Sequence, residues 1–293
     1  MSPAKTSEDL YQRGLAFFRA GNYQRCLDTA DQALAIDPDD GPWLLLKGTA
    51  LVELGQSDEA IAVLRQATQA APENPEAWRQ LGLALLAGQE YRATIDAFRV
   101  ALRLQPEDVS LLIDLGNVLF TLGHVEEAIQ SLEKARSCRQ GDLVILRNLE
   151  DIYTAASRHE QALQTTHDIL ELRPDDVLAH CDAAWLNLRL QRLDESANHF
   201  QALRHIDSEH ELYAVHGLVM TEIHRRNWRR ALDLAIAATR LDRYEFTTKL
   251  LAFISGRLFG KTGGEITLGE LDARFEAEHA EHRRLHAEGM VTT

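Results

Sequence analysis

The chain has 293 residues, 45% of them hydrophobic, and sets 31 basic against 45 acidic side chains, for a net charge of −14. That balance excludes a general nucleic-acid surface, which needs clustered cations to displace counterions from phosphates. It also argues against anionic membranes and favours partners with basic segments.

At the N-terminus Met1-Ser-Pro-Ala-Lys-Thr-Ser leads straight into a polar helix start, with no apolar stretch behind a basic one. Neither a secretory signal nor a membrane-spanning run is expected, which fits a cytoplasmic location. Cys26, Cys138 and Cys181 are far apart and form no C-x-x-C pair, so buried, reduced thiols are expected rather than disulfides or a metal site.

From there the helices come in pairs at a constant period. Gly14, Gly48, Gly82 and Gly116 are 34 residues apart, as are Ala33, Ala67, Ala101 and Ala135. Pro38, Pro72 and Pro106 keep the step, Gln140 breaks it and Pro174 resumes it. The first pair, about Ser7 to Asp40, places Leu10, Gly14 and Phe17 on one helix, Gly21-Asn22-Tyr23 in the turn, and Cys26, Ala30 and Ala33 on the next. Gly41 to Asn74 repeats this with Leu44, Gly48, Leu51, Gly55, Ala60, Leu64 and Ala67.

The stretch from Pro75 to Glu107 is the clearest copy. Trp78, Leu81 and Leu85 share one helical face, Ile95, Phe98 and Leu102 share the next, and Gln89-Glu90 make the turn. Gly82, lacking a Cβ, lets the two helices approach closely, and Pro106 ends the pair. A fourth copy spans about Val109 to Asp142. A fifth, Leu143 to Asp176, has Glu150 where the glycine stood. A sixth runs from Val177 to about Glu209 and a seventh from about His210 to Arg243. In the seventh, Asn227-Trp228 and Ala231 fit the second helix only if two residues are added, through a longer first helix or a wider turn.

Trp78-x-x-Leu81-Gly82-x-x-Leu85 with Tyr91, Thr94, Phe98, Ala101 and Pro106 resembles the tetratricopeptide repeat, of which Leu85 and Thr94 are variants. The resemblance implies an all-α, right-handed superhelical solenoid of about seven hairpins over residues 1–243, with a two-helix C-terminal cap over 244–293. It implies a concave groove lined by the first helix of each pair, with contacts at its second, fifth, sixth, ninth and twelfth positions. These fall on Tyr11 and Leu15, Leu45 and Thr49, Arg79 and Leu83, Ile113 and Asn117, then Arg147, Asn148 and Asp151, and Asp182 and Trp185. Arg79, Asn117, Arg147, Asn148, Asp151 and Trp185 are the candidate partner-binding residues. Asparagine can hydrogen-bond an extended backbone in both senses, and arginine can grip a carboxylate. The family's carboxylate clamp for chaperone C-termini is disfavoured, because Tyr11 and Leu15 stand where lysine and asparagine are required.

Beyond Tyr244, Lys249 to Phe259 reads as an apolar helix, Gly263-Gly264 as a breaker, and Thr267-x-x-Glu270 as a capping box. The box opens a charged helix to about Glu288 with Leu268, Leu271, Phe275 and Leu285 on one stripe. The apolar helix must be covered by that charged helix or by another molecule. His279, His282 and His286 share a face that could ligate a metal, with a solvated charged helix as the simpler reading. His205, His210, His216 and His224 suggest surface, as do Arg225, Arg226, Arg229 and Arg230, with Trp228 packed between repeats. Gly256-Arg-Leu-Phe-Gly260-Lys261-Thr262 resembles a phosphate-cradling loop, but Ser255 occupies the place of its first glycine and no strand precedes it.

No nucleophile–base set or cofactor fingerprint stands out. The expected function is a non-catalytic scaffold or adaptor that needs no cofactor and binds a protein or peptide segment in the groove. Two alternatives remain open: self-assembly into a homo-oligomer through the apolar C-terminal helix, and an accessory subunit of an enzyme or a metal-binding protein.

Overall fold

A computed structural model describes residues 3–206, 210–241, 245–259 and 266–287. They form helices throughout, and the chain divides into two compact units, 1–140 and 141–293. Unit 1 holds α1 (Pro3–Arg19), α2 (Tyr23–Leu34), α3 (Gly41–Glu53), α4 (Ser57–Ala70), α5 (Pro75–Ala87), α6 (Tyr91–Leu104), α7 (Val109–Thr121) and α8 (Val125–Cys138). Unit 2 holds α9 (Leu143–Ala155), α10 (His159–Leu172), α11 (Val177–Arg189), α12 (Leu193–Ile206), α13 (Glu211–His224), α14 (Trp228–Leu241), α15 (Glu245–Phe259) and α16 (Leu268–Ala287). Successive helices pair as antiparallel hairpins, and each hairpin packs on the next within its unit.

The period is written into the helix ends. First helices begin at Gly41, Pro75, Val109, Leu143, Val177 and Glu211, each 34 residues after the last. Five of them are capped one residue earlier by Asp40, Asn74, Asp108, Asp142 and Asp176, whose side chains accept backbone N–H groups of the first turn. Such caps satisfy donors that have no partner inside the helix. Second helices begin at Tyr23, Ser57, Tyr91, Val125, His159 and Leu193 at the same step. The next begins at Trp228, 35 residues on, because α13 runs 14 residues where α11 runs 13. The seventh pair therefore has the longer first helix, with one extra residue rather than two.

Close approach is built from a pair sixteen residues apart. A Cβ on Gly82 would come within 2.3 Å of the Phe98 ring, and one on Gly48 within 2.4 Å of Leu64. A large side chain on the second helix fills the space that the glycine vacates. In the fifth hairpin the pair is inverted: Glu150 replaces the glycine, and the facing residue shrinks to Thr166.

Each turn also needs one residue in the left-handed region. Gly21, Gly55 and Gly123 supply it, while Gln89, Ser157, Gln191 and Arg226 adopt φ of 57–60° at the equivalent places. A side chain there costs roughly 1–2 kcal/mol that glycine avoids. Replacing Gln89 or Ser157 by glycine should raise stability by about 1 kcal/mol, read as a higher urea midpoint at unchanged slope. A lower midpoint in both variants would contradict the assignment of these turns.

α15 spends its apolar residues inside unit 2. Phe246, Leu250, Phe253 and Ile254 are buried there, leaving Leu251 and Leu258 half-exposed. Trp228 packs edge-on against Phe253 at 6.1 Å. The Thr267 box forms as expected: Thr267 N donates to Glu270 Oε2 at 2.7 Å, and Glu270 N donates to Thr267 Oγ1 at 3.2 Å. Gly260, Lys261 and Thr262 of the loop-like motif, the Gly263-Gly264 breaker and the tail beyond Ala287 lie outside the described residues.

Candidate functional site

In unit 2 the inner surface carries a helix of the same chain. α16 lies against α11, α13 and α15, and Arg283 near its end reaches α9. Its apolar stripe narrows to Leu271 and Phe275, both buried. Phe275 stacks on Tyr213 (centroids 5.6 Å apart) and Phe246 (6.2 Å) and meets Phe200 edge-on (6.0 Å).

The rest of the contact is polar. His279 stacks on the indole of Trp185 at 4.9 Å and 6°, and its Nδ1 lies 2.7 Å from Tyr213 Oη. His282 stacks on Tyr213 at 4.4 Å. His216 Nδ1 is 2.6 Å from Glu278 Oε1, and its Nε2 is 2.7 Å from Thr247 Oγ1. His224 Nε2 is 2.8 Å from Asp272 Oδ1, and Arg189 is 3.6 Å from Glu276.

Beneath α16 sits an ionic centre. Glu150 and Asp182 are buried, at 0% and 2% exposure. Arg147 donates to Glu150 Oε2 at 2.9 Å, pairs with Asp176, and stands 3.6 Å from Asp182 Oδ2. Arg283 pairs with Asp151, and its Nε lies 3.3 Å from Asp182 Oδ1. Burial, and then the Asp182 charge, push Glu150 up to about 8. Burial likewise raises Asp182, against the pull of Arg283 and Arg147. Thr166 Oγ1 is 2.5 Å from Glu150 Oε1 and 2.9 Å from the Ala162 carbonyl. A hydroxyl has one hydrogen to donate. The Thr166 hydroxyl donates to Glu150 Oε1, and the Glu150 carboxyl also hydrogen-bonds Asp182. Burial pushes His279 down to about 3, so its imidazole is neutral.

The sequence-predicted residues are thus divided. Arg147 is not an open cation: it is committed to Glu150, Asp176 and Asp182. Trp185 is buried under His279, and Asp151 is exposed but paired with Arg283. Asn148 is half-buried, and its Nδ2 donates to the Val144 carbonyl. Arg147, Asn148 and Asp151 line a shallow cleft of about 350 Å³ with Leu143, Val144, Arg173 and Asp176. Asn117 and Arg79 belong to unit 1. Asn117 is exposed, while Arg79 holds Glu76 with two hydrogen bonds of 2.8 and 2.9 Å.

Several expectations are corrected. His279 and His282 do not face solvent on a charged helix; they are packed between α16 and Tyr213. His210 and His216 are buried, because α13 is enclosed on every side from Tyr213 to Ile223. Arg225 is not a solvated cation: it bonds Glu222, Asp194 and the Leu193 carbonyl. Cys138 is exposed, whereas Cys26 and Cys181 are buried as expected. Among the described residues no group of three or more ligating side chains could hold a metal ion, and no helix is long and apolar enough to cross a membrane.

Models described as tetratricopeptide repeat match residues 7–40, 45–109 and 84–142. This is a tetratricopeptide repeat protein. Solved repeat proteins carry the same arrangement. The C-terminal part of a repeat-containing protein from Cytophaga hutchinsonii aligns with 82% of this chain and 99% of its own, at 15% identity and TM-score 0.68. A chain of the Naa15/Naa10 complex bound to HypK-THB aligns with 85% of this one at 16% identity and TM-score 0.67; the protein spans 39% of that chain's length. MamA aligns with 54% of the chain and 92% of its own at 24% identity and TM-score 0.52. At these identities the likeness establishes the fold. No curated protein matches the sequence.

The buried Glu150 gives the repeat array a pH dependence with a definite sign. Its folded pKa, about 8, lies above its ordinary value of 4.5. Between these values the unfolded chain releases the proton and the folded chain keeps it. The stability it supports is therefore whole below pH 4.5 and is lost as pH rises toward 8, at up to about 1.4 kcal/mol per pH unit. Glu150→Gln should flatten the melting temperature of unit 2 between pH 5 and 8 and raise it at pH 8. Parallel melting curves for variant and parent across that range would refute the buried, protonated carboxyl.

Proposed function

We propose that this protein is a non-catalytic scaffold that holds a segment of another protein along the inner face of its helical hairpins. One observation carries the reading. In unit 2, Asp151, Asp182 and Trp185, at the ligand-contacting positions of the repeat register, grip a helix, α16. The same positions in unit 1 are accessible: Tyr11, Leu15, Leu45, Thr49, Leu83 and Ile113 are half-buried, and Asn117 is exposed. Most of these positions are apolar, and Arg79 and Asn117 occupy the same register. Such a surface suits an amphipathic segment whose polar edge meets the arginine and the amide. A chain of similar fold belongs to the Naa15/Naa10 complex bound to HypK-THB, which supports a protein-binding role for such a stack.

A photo-crosslinking side chain at Leu83 or Asn117 should capture a protein partner in native cells, while the same group at the exposed Gln66 of α4 should not. Arg79→Glu with Asn117→Asp should lower the yield roughly tenfold, the equivalent of one hydrogen bond to a charged group, with helicity unchanged. Equal capture from Gln66 would refute the groove.

A further inference from the structure

The contact that α16 makes with unit 2 is well packed at one end and imperfect at the other. Around Phe275 the rings are in van der Waals order. Around His279 two polar atoms are buried without hydrogen bonds, Nε2 of His279 and Oε2 of Glu278. His279 Nε2 stands 3.3 Å from Asp182 Oδ1, close but misdirected. Each buried polar group left in this condition is costly, so this end of the site is not matched to its occupant.

The charge count points the same way. Three carboxylates (Asp151, Asp176 and Asp182) and the protonated Glu150 face two guanidiniums, Arg147 and Arg283. The other α16 side chain aimed at Asp182, beside Arg283, is the neutral imidazole of His279. A cation in its place would meet the Asp182 carboxylate directly and would let Glu150 ionise against Arg147. The site is built for more positive charge than α16 brings.

We propose that the inner face of unit 2 is a binding site for a basic amphipathic helix of a partner protein, presenting an aromatic residue, a lysine or arginine, and an arginine at four-residue spacing, and that α16 closes this site as an imperfect stand-in held in cis. Phe275, His279 and Arg283 mark the three points. The aromatic residue enters the Phe200, Tyr213 and Phe246 pocket, the first cation meets Asp182 beside Trp185, and the arginine bridges Asp182 and Asp151. Tethering gives α16 a high effective concentration, so an incoming helix succeeds only if it binds better than α16 does. The acidic chain, at net −14, draws such a helix in. This proposal rests on the reading of the inner faces as segment-binding surfaces and names the partner chemistry for one of them.

The test uses the full chain and two labelled peptides, one with the sequence of residues 268–287 and one carrying His279→Lys, followed by fluorescence anisotropy. The lysine peptide should bind about tenfold more tightly than the native-sequence peptide, the effect of one added charge-assisted hydrogen bond. Phe275→Ala in the full chain weakens the internal competitor and should tighten binding of both peptides; where that variant loses helicity, Arg283→Gln serves instead. Asp182→Asn should abolish the advantage of lysine. Hydrogen exchange of the α16 amides should accelerate when the lysine peptide is added. Equal affinities for the two peptides, no binding to any of these proteins, or α16 exchange that ignores the peptide would each overturn the proposal. Failure here with crosslinking at Leu83 intact would leave the reading of unit 1 standing.

Discussion

Everything in this fold depends on how closely two short antiparallel helices can approach. A hairpin of twelve to seventeen residues per helix has too little surface to bury a core alone. It gains enough only when its helices nearly touch and a neighbouring hairpin covers what remains. Gly48 under Leu64 and Gly82 under Phe98 meet that demand by having no side chain on one helix and a large one on the other. At Glu150 and Thr166 the bulk has moved from the second helix to the first, so this pair fills the same gap with different chemistry. A carboxyl fits where a glycine stood because the residue sixteen positions later gives up its ring or its isobutyl group.

That exchange has consequences throughout unit 2. A carboxyl buried between helices must be neutral or neutralised. Arg147 does part of this from the same helix, but it also serves Asp176 and Asp182. The remaining compensation comes from Arg283, 136 residues beyond Arg147 in the sequence and carried in by α16. A local substitution in the fifth hairpin thus ties the middle of the chain to its C-terminal helix. Unit 1 keeps the glycine pattern, has no buried acid at this position, and leaves its inner face uncovered by any helix of its own.

The sequence makes the paired helices legible because their signals are periodic and local: glycine, alanine and proline ladders at one step, with the Thr267 capping box beyond them. It also contains a ladder of caps, Asp40, Asn74, Asp108, Asp142 and Asp176, at the same step, which marks five helix starts to the residue. The place of α16 is not legible. Among the residues of α16 whose side chains are described, only Leu271, Phe275 and His279 are buried, and its composition is otherwise that of a solvated helix. Its attachment rests on single long-range pairs, such as Arg283 with Asp151 or Glu278 with His216, and no local pattern encodes these. His180 shows the same limit in miniature. It stands three periods after Trp78, and its Nε2 meets the Pro174 carbonyl at 2.9 Å, the distance at which the Trp78 indole N–H donates to Pro72. The position asks for a ring nitrogen six residues after a proline, and two different residues supply it.

The polar character of the α16 contact matters more for position than for strength. Buried ion pairs rarely stabilise a structure beyond what apolar packing of the same volume would give. They do discriminate sharply between alignments. Moving α16 along its axis by one turn, about 5.4 Å, would bring either His279 or Ala287 to the place of Arg283. Asp151 would lose its guanidinium, Asp182 would keep a buried charge with half its compensation, and Phe275 would leave the rings of Tyr213 and Phe246. An apolar groove would tolerate such a slip at little cost, since one leucine replaces another. The buried carboxylates make this surface read the order of side chains along a helix, and that is the property a recognition site requires.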